Sequence, residues 1–139
     1  MKRLRFGLLL MPLVFGLAAC DSDDVIFYDD EYAAPPQNLA GWYYNQAVYL
    51  TWDLAPGWNN DPFRVFGKRR SDADYFFIAE VTNCSEGRCS YTDVNILPNI
   101  TYEYYVASVS ASGFETASDW AVEVDVPIPD PPADPATVE

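Results

Sequence analysis

The feature that most constrains the fold is a two-residue alternation of apolar and polar side chains in short segments bounded by turn residues. In the segment 47–54, Val48, Leu50 and Trp52 are each separated by one residue of the opposite face. A period of two is typical of a β-strand with one side in a core. Prolines and glycines, 11 and 7 of them in 139 residues, interrupt the pattern, and no long segment has a helical period. The chain is therefore predicted to be all-β.

Seven such segments are predicted as strands within a domain at 36–127. Seven short antiparallel strands in a domain of this size are typical of a two-sheet, immunoglobulin-like β-sandwich with Greek-key connections. Tyr104 and Val106 are predicted to face inward in the sixth segment, and Trp120, Val122, Val124 and Val126 are predicted to lie on one side of the seventh. The predicted strands are 38–43, 47–54, 63–66, 75–81, 90–93, 102–109 and 120–126.

The residues of these segments also match the pattern of a known family. Val48-x-Leu50-x-Trp52 is followed by Phe63-Arg64-Val65-Phe66, and the run 96–101 leads into Tyr102. Together with Pro36 to Leu39, Tyr91 to Asp93, the run 102–113 and Ser118, these motifs resemble a fibronectin type III domain. The resemblance implies a seven-stranded sandwich with Trp52 in its core. It also implies a tyrosine corner, in which the ring of Tyr102 is buried and its hydroxyl reaches backbone a few residues upstream.

The first 20 residues are typical of an export signal. A basic start is followed by 14 uncharged, mostly apolar residues at 6–19, too few to span a bilayer core of ~30 Å. The end of this stretch, Leu17-Ala18-Ala19-Cys20, resembles a bacterial lipobox. The resemblance implies removal of 1–19, a diacylglyceryl lipid on Cys20 and anchoring in a membrane of the bacterial envelope, facing the periplasm or the exterior. The alternative is an ordinary signal peptide with an incidental cysteine.

Two segments flank the predicted domain. Residues 20–35 are acidic and are predicted to be an extended tether. Asp21 to Asp24 within it is a weak alternative as a calcium site, because it lacks the glycine and distal glutamate of an EF-hand loop. Asp21 also resembles an inner-membrane retention signal, which leaves the choice of membrane open. Residues 128–139 are rich in proline and acids, and are predicted to be a tail or a linker to a further domain.

Cys84 and Cys89 are separated by four residues and are predicted to form a disulfide across a turn, as is usual in an oxidising compartment. A redox pair or half of a zinc site is the alternative. Redox pairs usually have two intervening residues, and the chain offers no histidine to complete a metal shell. A structural disulfide is therefore the favoured interpretation, and no metal site is predicted.

Charge and composition exclude several classes of function. The formal net charge is −13, which argues against a nucleic-acid partner. Histidine is absent, which removes the usual general base and the histidine-dependent nucleophile systems. Paired carboxylates need no histidine, but a lone small sandwich has little concavity in which to place them. We therefore predict that the chain is not an enzyme and has no cofactor.

Candidate contact residues remain on the surface. Trp58 lies in a predicted loop, and Phe66 and Tyr105 fall on outward-facing strand positions, where aromatics anchor protein interfaces, stack on sugar rings or form ordinary cross-strand pairs. Arg64 and the run 68–70 are either paired with nearby acids or form a small patch for an acidic group. The predicted function is a lipid-anchored, non-catalytic module for contact with an envelope protein. The alternatives are a carbohydrate-binding or spacer module, or the front of a larger envelope enzyme.

Overall fold

The computed structural model describes residues 32–130. The predictions for 1–19, for Cys20, for most of the tether and for the end of the tail lie outside these residues. Within them the structure is all-β, and no helix is long and apolar enough to cross a membrane. The strands are β1 (Gln37–Tyr44), β2 (Ala47–Asp53), β3 (Phe63–Arg69), β4 (Phe76–Val81), β5 (Cys84–Ser85), β6 (Arg88–Asp93), β7 (Ile100–Val109), β8 (Glu115–Ala117) and β9 (Val122–Val126).

The strands form two antiparallel sheets. The first sheet has the order β1-β2-β6-β5, and the second has the order β4-β3-β7 with β8 and β9 along the free edge of β7. Chain-consecutive strands such as β2 and β3 lie in different sheets, which is the crossover expected of a Greek-key sandwich. The prediction of an all-β, two-sheet sandwich is confirmed.

The core lies between the sheets and follows from the alternation in the sequence. Val48, Leu50 and Trp52 of β2 are fully buried, and they face Tyr104 and Val106 of β7 across the core cluster. Each of these strands places every second residue inward, so one face becomes solvent-excluded and the other remains free for contacts. The hydroxyl of the buried Ser108 donates to the backbone oxygen of Thr116 at 3.3 Å, which satisfies the polar group that the sequence places near the core.

The predicted seventh strand, 120–126, begins two residues later in the structure, at Val122. Pairing with β7 passes from Ala107↔Ala117 in β8 to Tyr104↔Val122 in β9, so five residue steps between β8 and β9 correspond to three in β7. The two extra residues leave a segment unpaired with β7, and Trp120 lies in this segment. The prediction that Trp120 lies on one side with Val124 and Val126 is wrong, because Trp120 is 51% exposed whereas both valines are buried. Its indole N–H donates to the carbonyl of Leu39.

The predicted disulfide joins Cys84 to Cys89 across the β5–β6 hairpin. The two-residue turn between these strands is Glu86-Gly87, and both residues have positive φ, 54° and 78°. Such a turn matches the right-handed twist of a hairpin, and glycine at the second position adopts it without steric cost. The bridge therefore closes a hairpin too short to be stable without support.

Reducing this disulfide is expected to lower the free energy of unfolding by about 2 kcal/mol, since the bridge restricts the unfolded chain over a short loop. Urea unfolding of the mature chain with and without reductant measures the difference. A Cys84→Ala/Cys89→Ala variant is the control, and its unfolding should not respond to reductant. An unchanged unfolding midpoint after complete reduction of the wild type would show that the hairpin is held by its packing alone.

A second constraint on the interior is a buried hydrogen bond between the sheets. The hydroxyl of Tyr104 in β7 donates to Oδ2 of Asp93 in β6 at 2.9 Å, and the backbone N–H of Asn95 donates to Oδ1 of the same carboxylate. Tyr104 and Asp93 are both buried. Burial, followed by the negative charge of Asp93, raises the pKa of Tyr104 above its ordinary value.

Candidate binding surface

The structure places the aromatic residues noted in the sequence in three different environments. Trp52 is fully buried between the sheets, where its ring meets Phe63 edge-on at 5.6 Å. Trp58 lies at one end of the core, and Phe66 and Tyr105 lie on the outer face of the second sheet. Of these residues, only Phe66 and Tyr105 are brought together on a surface.

The ring of Tyr102 is buried, and its hydroxyl oxygen accepts a hydrogen bond of 2.9 Å from the backbone N–H of Leu97. The bond connects β7 to the segment that crosses over from the first sheet. This is the geometry of a tyrosine corner, whose effect is on stability because it fixes the crossover.

Trp58 covers the end of the core and leaves little of its ring for a ligand. Its ring stacks on Phe63 at 6.2 Å with an interplanar angle of 14°, and its indole N–H donates to the carbonyl of Asp61 at 3.0 Å. The stacking contact covers part of the apolar ring, and the hydrogen bond satisfies its only polar group, the indole N–H. Trp58 is therefore separate from the surface that holds Phe66 and Tyr105.

Four rings on the outer face of the second sheet form a cluster, here called the aromatic platform: Phe66, Tyr75, Phe77 and Tyr105. Phe66 and Tyr105 are cross-strand partners and stack at 4.7 Å with an interplanar angle of 9°. Phe77 meets Phe66 edge-on at 6.0 Å, and Tyr75 meets Tyr105 edge-on at 4.8 Å. Offset stacks and edge-on contacts are the favourable arrangements of aromatic rings. The platform is thus held in one arrangement by its own contacts.

Phe77 belongs to the platform because of a bulge in β4. Phe77 and Glu80 are three residues apart, so strict alternation would place them on opposite faces. The β3–β4 register instead passes from Val65↔Ala79 to Phe66↔Phe77 and leaves Ile78 as an extra residue. Phe77 and Tyr75 were not predicted as contact residues from the sequence. The adjacent pair Phe76-Phe77 was the available signal, because in a regular strand one of two neighbours faces outward.

Gly67 leaves room for the side chain of Ile78, the extra residue of the bulge. A Cβ at position 67 would be 2.5 Å from Cδ1 of Ile78 and 2.9 Å from the ring of Tyr104. Both distances are shorter than carbon atoms tolerate, so a side chain here would have to move the Ile78 side chain or the core ring. The absence of a side chain at Gly67 therefore accommodates the bulged residue beside the core.

Charged residues border the platform at one end. Arg64 Nη1 lies 2.7 Å from Glu115 Oε1, and Arg64 Nε lies 3.7 Å from Glu80 Oε2. With Phe66 and Phe77, these three residues line a shallow groove of about 290 Å³. The groove has an aromatic wall and a charged wall, so it suits an apolar side chain with a polar end.

The other end is bordered by Lys68 and Glu103. Their side chains are largely buried and 3.3 Å apart, and the Lys68 ammonium also lies 4.9 Å from the ring centre of Tyr75. The Tyr75 hydroxyl donates to Glu103 Oε2 at 3.0 Å. This hydrogen bond, with the Lys68 charge, lowers the pKa of Glu103. Burial, followed by the bond to Glu103, raises the pKa of Tyr75 to about 12.

Arg64, and Lys68 and Arg70 of the basic run 68–70, meet acids on this face. Arg64 is paired with Glu115, Lys68 with Glu103, and Arg70 Nη1 lies 3.5 Å from Glu123 Oε2. Since carboxylates already neutralise these three cations, the geometry favours the interpretation of the run as paired charge. Within residues 32–130, no group of three or more His, Cys, Asp or Glu side chains is placed to hold a metal ion.

The fold has close counterparts among solved structures. No protein-family model matches the sequence, and a search of curated proteins finds no match. A Fn3-like protein from Clostridium thermocellum is 28% identical, with a TM-score of 0.53, and the match covers 68% of this chain and 94% of that one. The FN1-FN3 domains of chicken CNTN1 match at 19% identity and a TM-score of 0.50, over 68% of this chain and 34% of that one.

The fold is a fibronectin type III-like β-sandwich. This likeness supports a β-sandwich domain with a binding or structural role.

Pectate lyase PelI from Erwinia chrysanthemi, solved with tetragalacturonic acid, also matches, at 21% identity and a TM-score of 0.53. That match covers 65% of this chain but only 28% of the lyase, so it is evidence for the shared fold alone.

Proposed function

We propose that this chain is a non-catalytic, protein-binding module held at a bacterial envelope membrane by a lipid on Cys20, and that the aromatic platform is its contact surface. The observation that carries the proposal is the half-buried stack of Phe66 on Tyr105 on the outer face of the second sheet, joined by Phe77, which is 56% exposed. Aromatic anchors at the centre of a patch, bordered by charged residues, are the usual composition of an interface hot spot.

The charges around the platform indicate the chemistry of the partner. Arg64, Lys68 and Arg70 are each paired, whereas the chain as a whole has a net charge of −13. A partner with an acidic rim would be repelled on approach, and one with a basic rim would be attracted. The proposed partner therefore places an apolar side chain in the groove beside Phe66 and Phe77 and surrounds it with lysines or arginines.

Replacing Phe66 by alanine is expected to weaken partner binding by about 30-fold, the effect of removing a hot spot worth about 2 kcal/mol. A photo-crosslinking residue at position 77 of the anchored protein in its own cells should give a discrete protein adduct. That adduct should disappear in the Phe66→Ala background and persist in the Tyr44→Ala background, since Tyr44 lies on the other sheet. Equal adduct in all three backgrounds, with unchanged thermal unfolding, would exclude the platform as the contact surface.

The lipid on Cys20 rests on the lipobox resemblance and has its own test. Two acyl chains hold a protein at a bilayer stably, because each buried CH₂ contributes about 0.8 kcal/mol. The full-length protein made in bacteria is expected to partition into the detergent phase of a Triton X-114 extraction. A Cys20→Ser variant should move to the aqueous phase, whereas Cys84→Ala/Cys89→Ala should not. Aqueous partition of the wild type would refute the anchor while leaving the platform unaffected.

A further inference from the structure

The outer face of the first sheet carries a second row of aromatic side chains. Trp42 and Tyr49 are cross-strand partners whose ring centres are 6.0 Å apart with an interplanar angle of 16°. Tyr44 continues the row at 6.3 Å from Tyr49. Trp42 is 46% exposed and Tyr44 is 67% exposed, so the row presents its rings to solvent. Exposed aromatics in a contiguous row are typical of an interaction site.

The residues beside this row are uncharged and carry hydroxyl groups. The register places Tyr49 opposite Trp42 on one side and Thr92 on the other, and places Thr51 between Ala40 and Ser90. Directly paired residues point to the same face of a sheet, so these side chains share the surface with the aromatic row. The ion pair of Arg88 with Asp53, 2.8 Å apart, lies beyond them at the end of β2.

We propose that this face, formed by Trp42, Tyr44, Tyr49, Thr51, Ser90 and Thr92, binds a neutral β-linked polysaccharide. The C–H faces of pyranose rings are apolar and stack on aromatic rings, while sugar hydroxyls at the ring edges pair with side-chain hydroxyls. An extended β-linked chain presents such rings in succession, so neighbouring sugars can contact successive aromatic side chains of the row. This surface is distinct from the aromatic platform, so it extends the proposed function and does not depend on it.

Charge decides between a neutral glycan and the other occupants. The chain carries 21 Asp and Glu against 8 Lys and Arg, so an acidic polysaccharide would be repelled over the whole surface. A second copy of the chain would bring the same net charge. Asp53, the carboxylate at the end of this face, is already paired with Arg88 and accepts a hydrogen bond from Asn38, so it offers little to a basic protein. A neutral polysaccharide is not repelled by the net charge and needs no charged partner on this face.

Affinity gel electrophoresis of the mature chain tests this proposal, with hydroxyethyl cellulose and mixed-linkage β-glucan as neutral probes and polygalacturonate as the acidic probe. The wild type is expected to be retarded by at least one neutral probe and not by polygalacturonate. Trp42→Ala should raise the dissociation constant at least 10-fold, Trp42→Phe should retain most of the binding, and Phe77→Ala on the other sheet should match the wild type. Thermal unfolding of each variant checks that the domain is folded.

Three electrophoresis results would overturn the proposal. These are equal migration of the wild type with and without both neutral probes, stronger retardation by polygalacturonate, and loss of retardation in Phe77→Ala with retention in Trp42→Ala. Sedimentation analysis that finds a dimer abolished by Trp42→Ala would assign the face to a second copy and would also reject the glycan. None of these results affects the crosslinking test of the aromatic platform, whose crosslinker at position 77 and Phe66→Ala change both lie on the second sheet.

Discussion

Replacing Trp52 by alanine is expected to lower the free energy of unfolding by about 3–5 kcal/mol, a large part of the stability of a domain this size. Trp52 is the largest fully buried side chain and contacts both sheets, with Phe63 edge-on at 5.6 Å. Its removal leaves a cavity that two hydrogen-bonded sheets cannot close. Urea unfolding followed by far-ultraviolet circular dichroism measures the loss.

Trp52→Phe is the matched control for this prediction. The indole N–H of Trp52 has no hydrogen-bond partner among residues 32–130, and an unpaired buried donor costs roughly 1–3 kcal/mol. Phenylalanine removes that donor and keeps most of the ring, so the variant should unfold within about 1.5 kcal/mol of the wild type. A loss as large as that of Trp52→Ala would show that the indole N–H is paired in solution.

Stability is expected to fall steeply above pH 10, because Tyr104 must lose its proton in a site that disfavours the charge. Burial and the Asp93 carboxylate hold the folded pKa of Tyr104 above the unfolded value of 10.0. A raised pKa means that the folded state keeps a proton that the unfolded state releases. This stabilisation is complete below pH 10 and is lost as the pH rises, by about 1.4 kcal/mol per pH unit. Tyr75, with a folded pKa of about 12, acts in the same direction.

Chemical unfolding of the wild type and of Tyr104→Phe between pH 9 and 11.5 tests this effect. The variant loses the hydrogen bond to Asp93 and is expected to be less stable at pH 9, but the decline of its stability with pH should be shallower by about 1.4 kcal/mol per pH unit. Tyr44→Phe changes an exposed tyrosine and should follow the wild-type slope. Parallel slopes for the wild type and Tyr104→Phe would show that Tyr104 ionises as readily in the folded as in the unfolded state.

Much of the fold could be predicted from local pattern. The alternation of Val48, Leu50 and Trp52 identified β2 and its inner face, since a strand with one buried side must place apolar residues at every second position. The disulfide of Cys84 with Cys89 followed from proximity in sequence. The prediction for Trp120 was wrong because alternation assumes continuous strand pairing. Two extra residues between β8 and β9 interrupt the pairing with β7.

The candidate surfaces were only partly accessible to the same reasoning. Phe66 and Tyr105 were identified as outward-facing, but their stacking depends on the pairing of β3 with β7, which are about 40 residues apart in the chain. Trp58 was grouped with them because its position in a loop does not reveal whether its ring faces solvent or packs against the core. The same limit applies to Arg64, whose acidic partners come from β4 and β8.

The sequence by itself determined that the chain is built of strands, which side of most strands is buried, and that Cys84 and Cys89 close a hairpin, because each depends on residues close together along the chain. Only the tertiary structure decided which outward-facing side chains become neighbours. The bulge at Ile78, whose side chain fits beside Gly67, places Phe77 opposite Phe66 and completes the aromatic platform. Strand order and register act across long separations in sequence, and a shift of one residue would send each of these side chains to the opposite face.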